Sequence, residues 1–141
     1  MSSENFVNLN NLDENIQQLI RECVEARKMS YSPYSKFSVG AALRCNDGTI
    51  FRGCNIENSS YPVTLCAERT AVSKAISEGK KNFQAIAVSA DLVHDTVSSP
   101  CGMCRQFLSE FGNMDVYLTN PTMDRILHTS VMELLPLAFK F

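Results

Sequence analysis

The chain has 141 residues, a formal charge of −2 at pH 7 and a hydrophobic fraction of 45%. This length suits one compact domain with a sizeable core, and with the ordinary charged fraction of 20% we do not expect a disordered chain. No basic run exceeds the Lys pair at 80–81, so we expect no binding to the phosphate backbone of nucleic acid.

The first elements in chain order are a helix and a β-hairpin. Apolar residues recur at helical spacing over 12–29, which predicts a helix with Asn11 as its N-cap. Two strand-like segments, 37–45 and 49–55, flank the turn signature NDG. They are predicted to pair as an antiparallel hairpin.

A second helix and a buried strand follow a polar loop. Small apolar residues predict a helix over 66–78, and Gly79 stands where a C-cap glycine belongs. Small side chains allow a helix to lie close to a sheet. The nearly continuous apolar run at 85–90 indicates a central strand that is covered on both faces.

The last third of the chain predicts another helix and two more strands. Ser98 or Ser99 can cap a helix that ends at Gly112. The strands at 114–119 and 125–129 are separated by a linker too short to cross a sheet, so they should pair antiparallel. With a short terminal helix, these elements predict an α/β fold: a three-layer α/β/α sandwich around a mixed five-stranded sheet.

The cysteines bear on the compartment of the protein. No apolar run is long enough to span a membrane, and the N-terminal sequence MSSENFVNLN has neither the basic flank nor the apolar core of a signal peptide. We therefore expect a cytoplasmic protein without a membrane partner, formed as a single domain over 1–141. Its six cysteines are then reduced thiols or metal ligands rather than disulfides.

Three of the cysteines have the pattern of metal ligands. Cys101 and Cys104 are three residues apart at the start of a predicted helix, so both sulfurs can bind one ion. Cys66 is the natural third ligand, because it also opens a helix after a proline-containing loop. The positive ends of both helix dipoles favour thiolates. Such a set binds Zn²⁺ well.

Two alternatives compete with a catalytic zinc site. One is a closed structural site with a fourth thiol from Cys23, Cys45 or Cys54, and the other is a thioredoxin-like redox pair. The redox pair leaves Cys66 and Glu68 unexplained. Glu68 lies two residues from a ligand, where it can reach a water at the fourth position of the metal. This favours the open, catalytic arrangement.

Two arginines follow the motif residues directly. Three thiolates leave Zn²⁺ with a surplus negative charge, which weakens its pull on the proton of a bound water. Arg69 and Arg105 are candidates to donate hydrogen bonds to sulfur and offset that charge. Taken singly, each is also explained as a solvated helix residue.

Several sequence blocks now point to a family. The blocks CAER and PCGMCRQ, together with FSVGAAL, GCNIENSSYP and ELLP, resemble the zinc-dependent cytidine deaminases of the small homotetrameric type. The resemblance extends over roughly residues 31–139 and involves several separate blocks in the same order. It implies a cytidine deaminase-like fold with one zinc ion per chain.

The resemblance also implies a reaction. Zinc on Cys66, Cys101 and Cys104 would lower the pKa of its water toward about 7. Glu68 would take a proton from that water and protonate N3 of the pyrimidine as C4 is attacked, and would then help to deliver another proton to the departing amino group. The implied activity is hydrolytic deamination of cytidine and 2′-deoxycytidine to uridine and 2′-deoxyuridine, with release of ammonia, in pyrimidine salvage.

The family pattern further suggests how a nucleoside is held. Phe37 would pack on the pyrimidine, the backbone at Ala67 would meet the polar edge of the base, and Asn55 with Glu57 would bind the ribose, at its 3′-hydroxyl. Without the resemblance, the residues favour core packing in a strand for Phe37 and a polar turn for Asn55 and Glu57. The segment NIENSSYP contains no Lys or Arg, which favours a free nucleoside over a phosphorylated one.

Similar proteins are homotetramers with shared active sites, and Tyr61 and Phe139 match positions that contribute across subunits there. Three rival functions stay open. One is deamination of a cytosine-containing antibiotic of the blasticidin type. Another is a non-catalytic binding module stabilised by zinc. Deamination of a polynucleotide is the third, and it conflicts with the charge.

Overall fold

The computed structural model describes residues 5–141, so the first four residues of the predicted domain lie outside the described residues. None of the helices in that part of the chain has the length and apolar character needed to span a bilayer. The elements in chain order are β1 (Phe6–Val7), α1 (Glu14–Arg27), β2 (Gly40–Cys45), β3 (Ile50–Cys54), α2 (Ala67–Ser77), β4 (Phe83–Ser89), α3 (Gly102–Ser109), β5 (Asp115–Thr119), β6 (Ile126–Ser130) and α4 (Val131–Leu134).

The strands form one mixed sheet in the order β1-β6-β5-β4-β2-β3. β4 pairs with β5 in parallel, whereas the β2–β3 hairpin and the β5–β6 pair are antiparallel, as predicted. The sheet of residues 5–141 has six strands rather than the predicted five, because Phe6 and Val7 pair with Leu127 and Ile126. A two-residue strand is too short to show the alternating pattern by which strands are recognised.

Helices cover both faces of the sheet, which confirms the three-layer sandwich. Alternate residues of β4 belong to different cores: Ile86 and Val88 pack with α2 and α3, while Ala85 and Ala87 pack with residues of α1 such as Leu19. The central strand is therefore buried on both faces, as its apolar run predicted.

Two predicted helix caps are wrong. Asn11 ends a short 3₁₀ turn, and Asp13 occupies the N-cap of α1. Cys101, rather than Ser98 or Ser99, occupies the N-cap of α3. Neither capping side chain bonds to its helix. Both boundaries are thus decided by the path of the chain rather than by side-chain capping.

The C-terminal end of α2 follows its prediction. Gly79 adopts a left-handed conformation with φ of 82°. Its N–H donates to the carbonyl of Ile76 at 3.0 Å, and the N–H of Lys80 donates to that of Ala75 at 2.9 Å. This pair of bonds is the Schellman arrangement, which satisfies the last carbonyls of the helix.

A glycine sets the distance between α2 and the sheet. A Cβ added to Gly53 would lie 2.3 Å from the carbonyl oxygen of Ala67 and 2.5 Å from the backbone nitrogen of Ala71. The backbone of β3 therefore touches the first turn of α2 directly. This contact fixes the depth at which the helix, and Cys66 before it, lie on the sheet.

Replacement of Gly53 should destabilise the protein. We expect Gly53→Ala to lower the free energy of unfolding by roughly 1–3 kcal/mol, because the added methyl group must push α2 off the sheet. Gly102→Ala is the control, since a Cβ there meets nothing within 4 Å. Urea unfolding of both zinc-loaded variants measures the effect, and equal midpoints for the two would contradict the close contact.

Candidate active site

The strand directions bring two helix starts to one place. β3 and β4 each pair antiparallel with β2, so they run in the same direction. α2 follows β3 and α3 follows β4, and both helices pack into the same core on one face of the sheet. The two helices therefore begin at the same edge of that face.

Three thiols converge at this edge. The sulfurs of Cys66, Cys101 and Cys104 all lie within 4.8 Å of one another, and the Cys66 and Cys101 sulfurs are 3.9 Å apart. Tetrahedral zinc with bonds of about 2.3 Å requires sulfur separations of about 3.8 Å. The donor set and its spacing therefore fit Zn²⁺.

The site is open rather than closed by a fourth cysteine. Within residues 5–141, Cys23, Cys45 and Cys54 lie outside this thiol cluster. Cys23 is buried among residues of the opposite face, and Cys45 belongs to the core below α2. Cys54 is half-buried, and its Sγ donates to the carbonyl of Met29 at 3.4 Å. The four-cysteine alternative thus has no fourth ligand among the described residues.

The cluster holds one of its thiols, that of Cys66, close to the ionised form. A hydrogen bond with Cys104 is the main reason that the pKa of Cys66 falls to about 5, and Arg69 adds to the effect. The pKa of Cys104 is raised in turn, by its bond to Cys66 and by burial. The two sulfurs share a proton that a bound metal ion replaces, since coordination requires thiolates.

Glu68 is a buried carboxyl beside the thiols. It lies in the first turn of α2 with 4% of its surface exposed. Burial raises the pKa of its carboxyl, and the charge of Cys66 adds to the rise. A carboxyl whose pKa is raised toward neutrality is suited to both accept and donate a proton.

A cavity of about 270 Å³ opens next to these groups. Predicted substrate-binding and catalytic residues from separate parts of the chain form its wall, namely Phe37, Asn55, Glu57, Cys66, Ala67, Glu68 and Cys101. Serines, Thr64 and apolar residues complete the lining, and no described residue of that lining is Lys or Arg. The cavity is therefore suited to a compact, uncharged polar ligand.

Asn55 is a buried residue that fastens the Phe37 segment. Its Nδ2 donates to the carbonyl of Phe37 at 2.8 Å, and its Oδ1 accepts from the backbone N–H of Val39 at 2.9 Å. The side chain is only 8% exposed, so it is not part of a solvated polar turn. The sequence did not predict this structural role of Asn55, because its hydrogen-bond partners, Phe37 and Val39, are distant along the chain.

Glu57 is held by the loop that precedes Phe37. Its Oε1 accepts from the backbone N–H groups of Tyr34 at 3.0 Å and Ser35 at 3.1 Å, and its Oε2 accepts from the Ser35 hydroxyl. The Ser35 hydroxyl is the main reason that the pKa of this carboxyl is lowered. Sequence reasoning did not identify Ser35, since a serine in a polar loop carries no distinguishing signal.

Arg69 lies where it can offset the charge of the thiolates. Its Nη2 is 3.7 Å from the sulfur of Cys66 and donates to the carbonyl of Thr64 at 3.0 Å. The guanidinium therefore links a metal ligand to the loop before it. This position agrees with the sulfur-directed hydrogen bond that we expected.

Arg105 is placed differently from the expected contact with sulfur. It donates to the carbonyls of Pro100 and Leu134, each at 2.7 Å, and to the hydroxyl of Ser99 at 2.8 Å. The side chain joins the loop before Cys101 to the C-terminal helix α4. It supports the ligand loop through the backbone and does not act on the sulfur atoms directly.

Tyr61 and Phe139 are not in the cavity of their own chain. Their side chains are 71% and 68% exposed. The Gln106 amide holds the backbone of Phe139, accepting from its N–H at 3.2 Å and donating to its carbonyl at 3.1 Å. Both rings are thus presented to the surroundings, and the tail that carries Phe139 is fastened to α3.

Comparison with known proteins agrees with this geometry. Residues 13–120 match the family described as the cytidine and deoxycytidylate deaminase zinc-binding region, which confirms zinc as the predicted cofactor. A cytidine deaminase of Sporosarcina psychrophila is 56% identical over 126 residues, 88% of this chain and 90% of that protein. The crystal structure of cytidine deaminase from Burkholderia pseudomallei superimposes with a TM-score of 0.83 at 44% identity, covering 91% of this chain and all of that one.

One similar protein has a different named substrate. The blasticidin-S deaminase of Bacillus cereus is 32% identical over 135 residues, which are 92% of this chain and 95% of that protein. Its identity to this chain is well below that of the cytidine deaminase from Sporosarcina psychrophila.

Removal of one ligand should release the metal. We expect the Cys101→Ala variant to contain far less than one zinc per chain, because the two remaining thiolates cannot compensate for the lost ligand. Its side chain is exposed, so little core packing is lost. Elemental analysis of purified protein measures the metal. Cys54→Ala, a thiol outside the cluster, is the control that should keep its zinc, and a fully loaded Cys101→Ala would remove Cys101 from the ligand set.

Proposed function

The chain belongs to the cytidine and deoxycytidylate deaminase family, and we propose that it is a zinc-dependent deaminase of free cytidine and 2′-deoxycytidine. The observation that carries the proposal is the convergence of three thiols and the buried Glu68 on one small cavity. The products are uridine or 2′-deoxyuridine and ammonia. This reaction is a step of pyrimidine salvage, in which free nucleosides are used again.

The residues of the site divide the chemistry between them. Cys66, Cys101 and Cys104 would hold one Zn²⁺ per chain, which would supply the Lewis acidity that makes water nucleophilic at neutral pH. Glu68 accepts a proton from the attacking water and delivers it to N3 of the ring as C4 is attacked. Glu68 then takes the proton of the new C4 hydroxyl and passes it to the amino group, so that the C4–N bond breaks, ammonia leaves and the C4 carbonyl of the product forms.

The cavity wall accounts for recognition of the base and the sugar. Phe37 packs on the pyrimidine, the backbone at Ala67 meets the polar edge of the base, and Asn55 with Glu57 binds the ribose. Contact at the 3′-hydroxyl leaves the 2′ position free, so ribose and deoxyribose are both accepted. The absence of Lys and Arg from the described lining supports an unphosphorylated substrate over a nucleotide or a polynucleotide.

The active protein is a homotetramer in which neighbouring chains complete each site. Tyr61 and Phe139 are 71% and 68% exposed, and we propose that they reach across to a neighbouring subunit. Aromatic residues are enriched at protein interfaces, which supports this assembly. Sedimentation velocity tests this part of the proposal, and a stable, fully active monomer would contradict it.

The thiol ligands also bear on location. A site built from three cysteines requires them to stay reduced, and the cytoplasm maintains that state. We therefore place the enzyme in the cytoplasm.

A substrate comparison separates the proposal from its rivals. We expect ammonia release from cytidine and 2′-deoxycytidine, little from blasticidin S, and no competition by single-stranded DNA, because the described lining has no cation for a phosphate. Preferred turnover of blasticidin S would change the substrate and leave the chemistry intact. No ammonia from any of them, with one zinc bound, would indicate a binding module instead.

Glu68→Gln should uncouple zinc binding from catalysis. The variant keeps the size of the buried side chain but cannot accept a proton, so we expect a loss of at least about 10²- to 10⁴-fold in kcat/KM. Zinc per chain should stay close to the wild-type value, because Glu68 is not a ligand. Parallel measurement of zinc content and ammonia release checks both points, and an active variant would exclude proton transfer by Glu68.

A further inference from the structure

The loop before Phe37 contains a hydrogen-bonded relay. The backbone N–H of Phe37 donates to the hydroxyl oxygen of Ser35 at 3.0 Å, and that hydroxyl donates its own proton to Oε2 of Glu57. Lys36, which lies between Ser35 and Phe37 in the sequence, adopts a left-handed backbone conformation with φ of 58°. One side chain thus connects a residue on the base side of the cavity with a residue on the sugar side.

The number of acceptor sites on Glu57 limits what it can bind. A carboxylate offers about four lone-pair sites, two on each oxygen. The N–H groups of Tyr34 and Ser35 occupy both sites on Oε1, and the Ser35 hydroxyl occupies one on Oε2. One site on Oε2 remains. A cavity-lining carboxylate in this state can accept a single hydroxyl group in a defined direction.

We propose that Ser35 is a positioning residue that orients Oε2 of Glu57 toward one hydroxyl of the sugar. This inference rests on the proposed function and adds a residue to it. Ser35 itself lies in the wall of the cavity, and its hydroxyl proton is donated to Glu57. It acts through Glu57: its hydrogen bond to Oε2 fixes the direction of the one lone pair of Oε2 that stays free.

Exposure argues against a purely structural role for this contact. Ser35 lies at the surface and Glu57 is only half-buried. Hydrogen bonds between groups that water can reach contribute little to folding, because water replaces them when they break. Three hydrogen bonds from one surface loop to one half-buried carboxylate are therefore better explained by the orientation they impose than by the stability they add.

The test compares substrates with and without the sugar hydroxyl. We measure kcat and KM of wild type, Ser35→Ala and Ser35→Thr with cytidine, 2′-deoxycytidine and 2′,3′-dideoxycytidine. Ser35→Ala should raise KM about tenfold for the first two substrates with kcat within about twofold, and change KM for the dideoxy compound by less than about twofold. Ser35→Thr keeps the hydroxyl and should restore most of the affinity.

Two further variants control the interpretation. Ser38→Ala removes a neighbouring serine whose hydroxyl lies 3.2 Å from that of Ser32, on the same loop. It should leave the pattern of KM values as in wild type. In a Glu57→Ala background, Ser35→Ala should have no further effect on KM, since its route to the substrate is already gone.

The outcomes separate the two proposals. An equal rise in KM for all three substrates, or an undiminished effect of Ser35→Ala without Glu57, overturns the role of Ser35 and leaves the deaminase intact. No turnover of cytidine by the zinc-loaded wild type overturns the proposed function and this role with it. Zinc content and urea midpoints of every variant exclude loss of the fold as the cause.

Discussion

A single metal ion can be bound by cysteines from two helices only if both helices begin within a few ångströms of each other. The shared direction of β3 and β4 brings the starts of α2 and α3 to one edge of the sheet. Gly53 then lets α2 touch the backbone of β3, so that Cys66 comes level with the ligands of α3. The small residues of α2 also allow this close approach of the helix to the sheet. The strand directions and the close helix–sheet contact on this face of the sandwich together bring the three sulfurs to one point.

Negative charge accumulates at this point, and the structure offsets it in several ways. The N-terminal ends of two helices face the thiolates, and Arg69 donates toward Cys66. Burial keeps the pKa of Glu68 raised, which limits the charge next to the sulfurs. Burial makes the ionised form of Glu68 unfavourable, and the same effect keeps a proton on the carboxyl that can be transferred to a substrate. One cause, burial, therefore both limits the negative charge and suits Glu68 to proton transfer.

Hydrogen bonds organise the part of the cavity wall that contains Phe37, Asn55 and Glu57. Asn55 and Glu57, which follow β3, bind backbone groups of the segment that precedes β2. The strand that leads into α2 is thereby connected to the loop that carries Phe37. A site supported in this way holds its polar groups in place before a ligand arrives, which lowers the entropic penalty of binding.

Local features of the sequence determined the elements, the metal ligands and the family, because residue spacing, glycine caps and hydrophobic period act over a few residues. The C-x-x-C pair, the helix ending at Gly79 and the antiparallel hairpins are of this kind. Contacts between distant segments were decided by the tertiary structure. They include the pairing of Phe6 with Leu127, the support of the ligand loop by Arg105 and the bond from Ser35 to Glu57. Such contacts depend on how whole elements pack, and a hydroxyl or guanidinium finds its partner only after that packing exists.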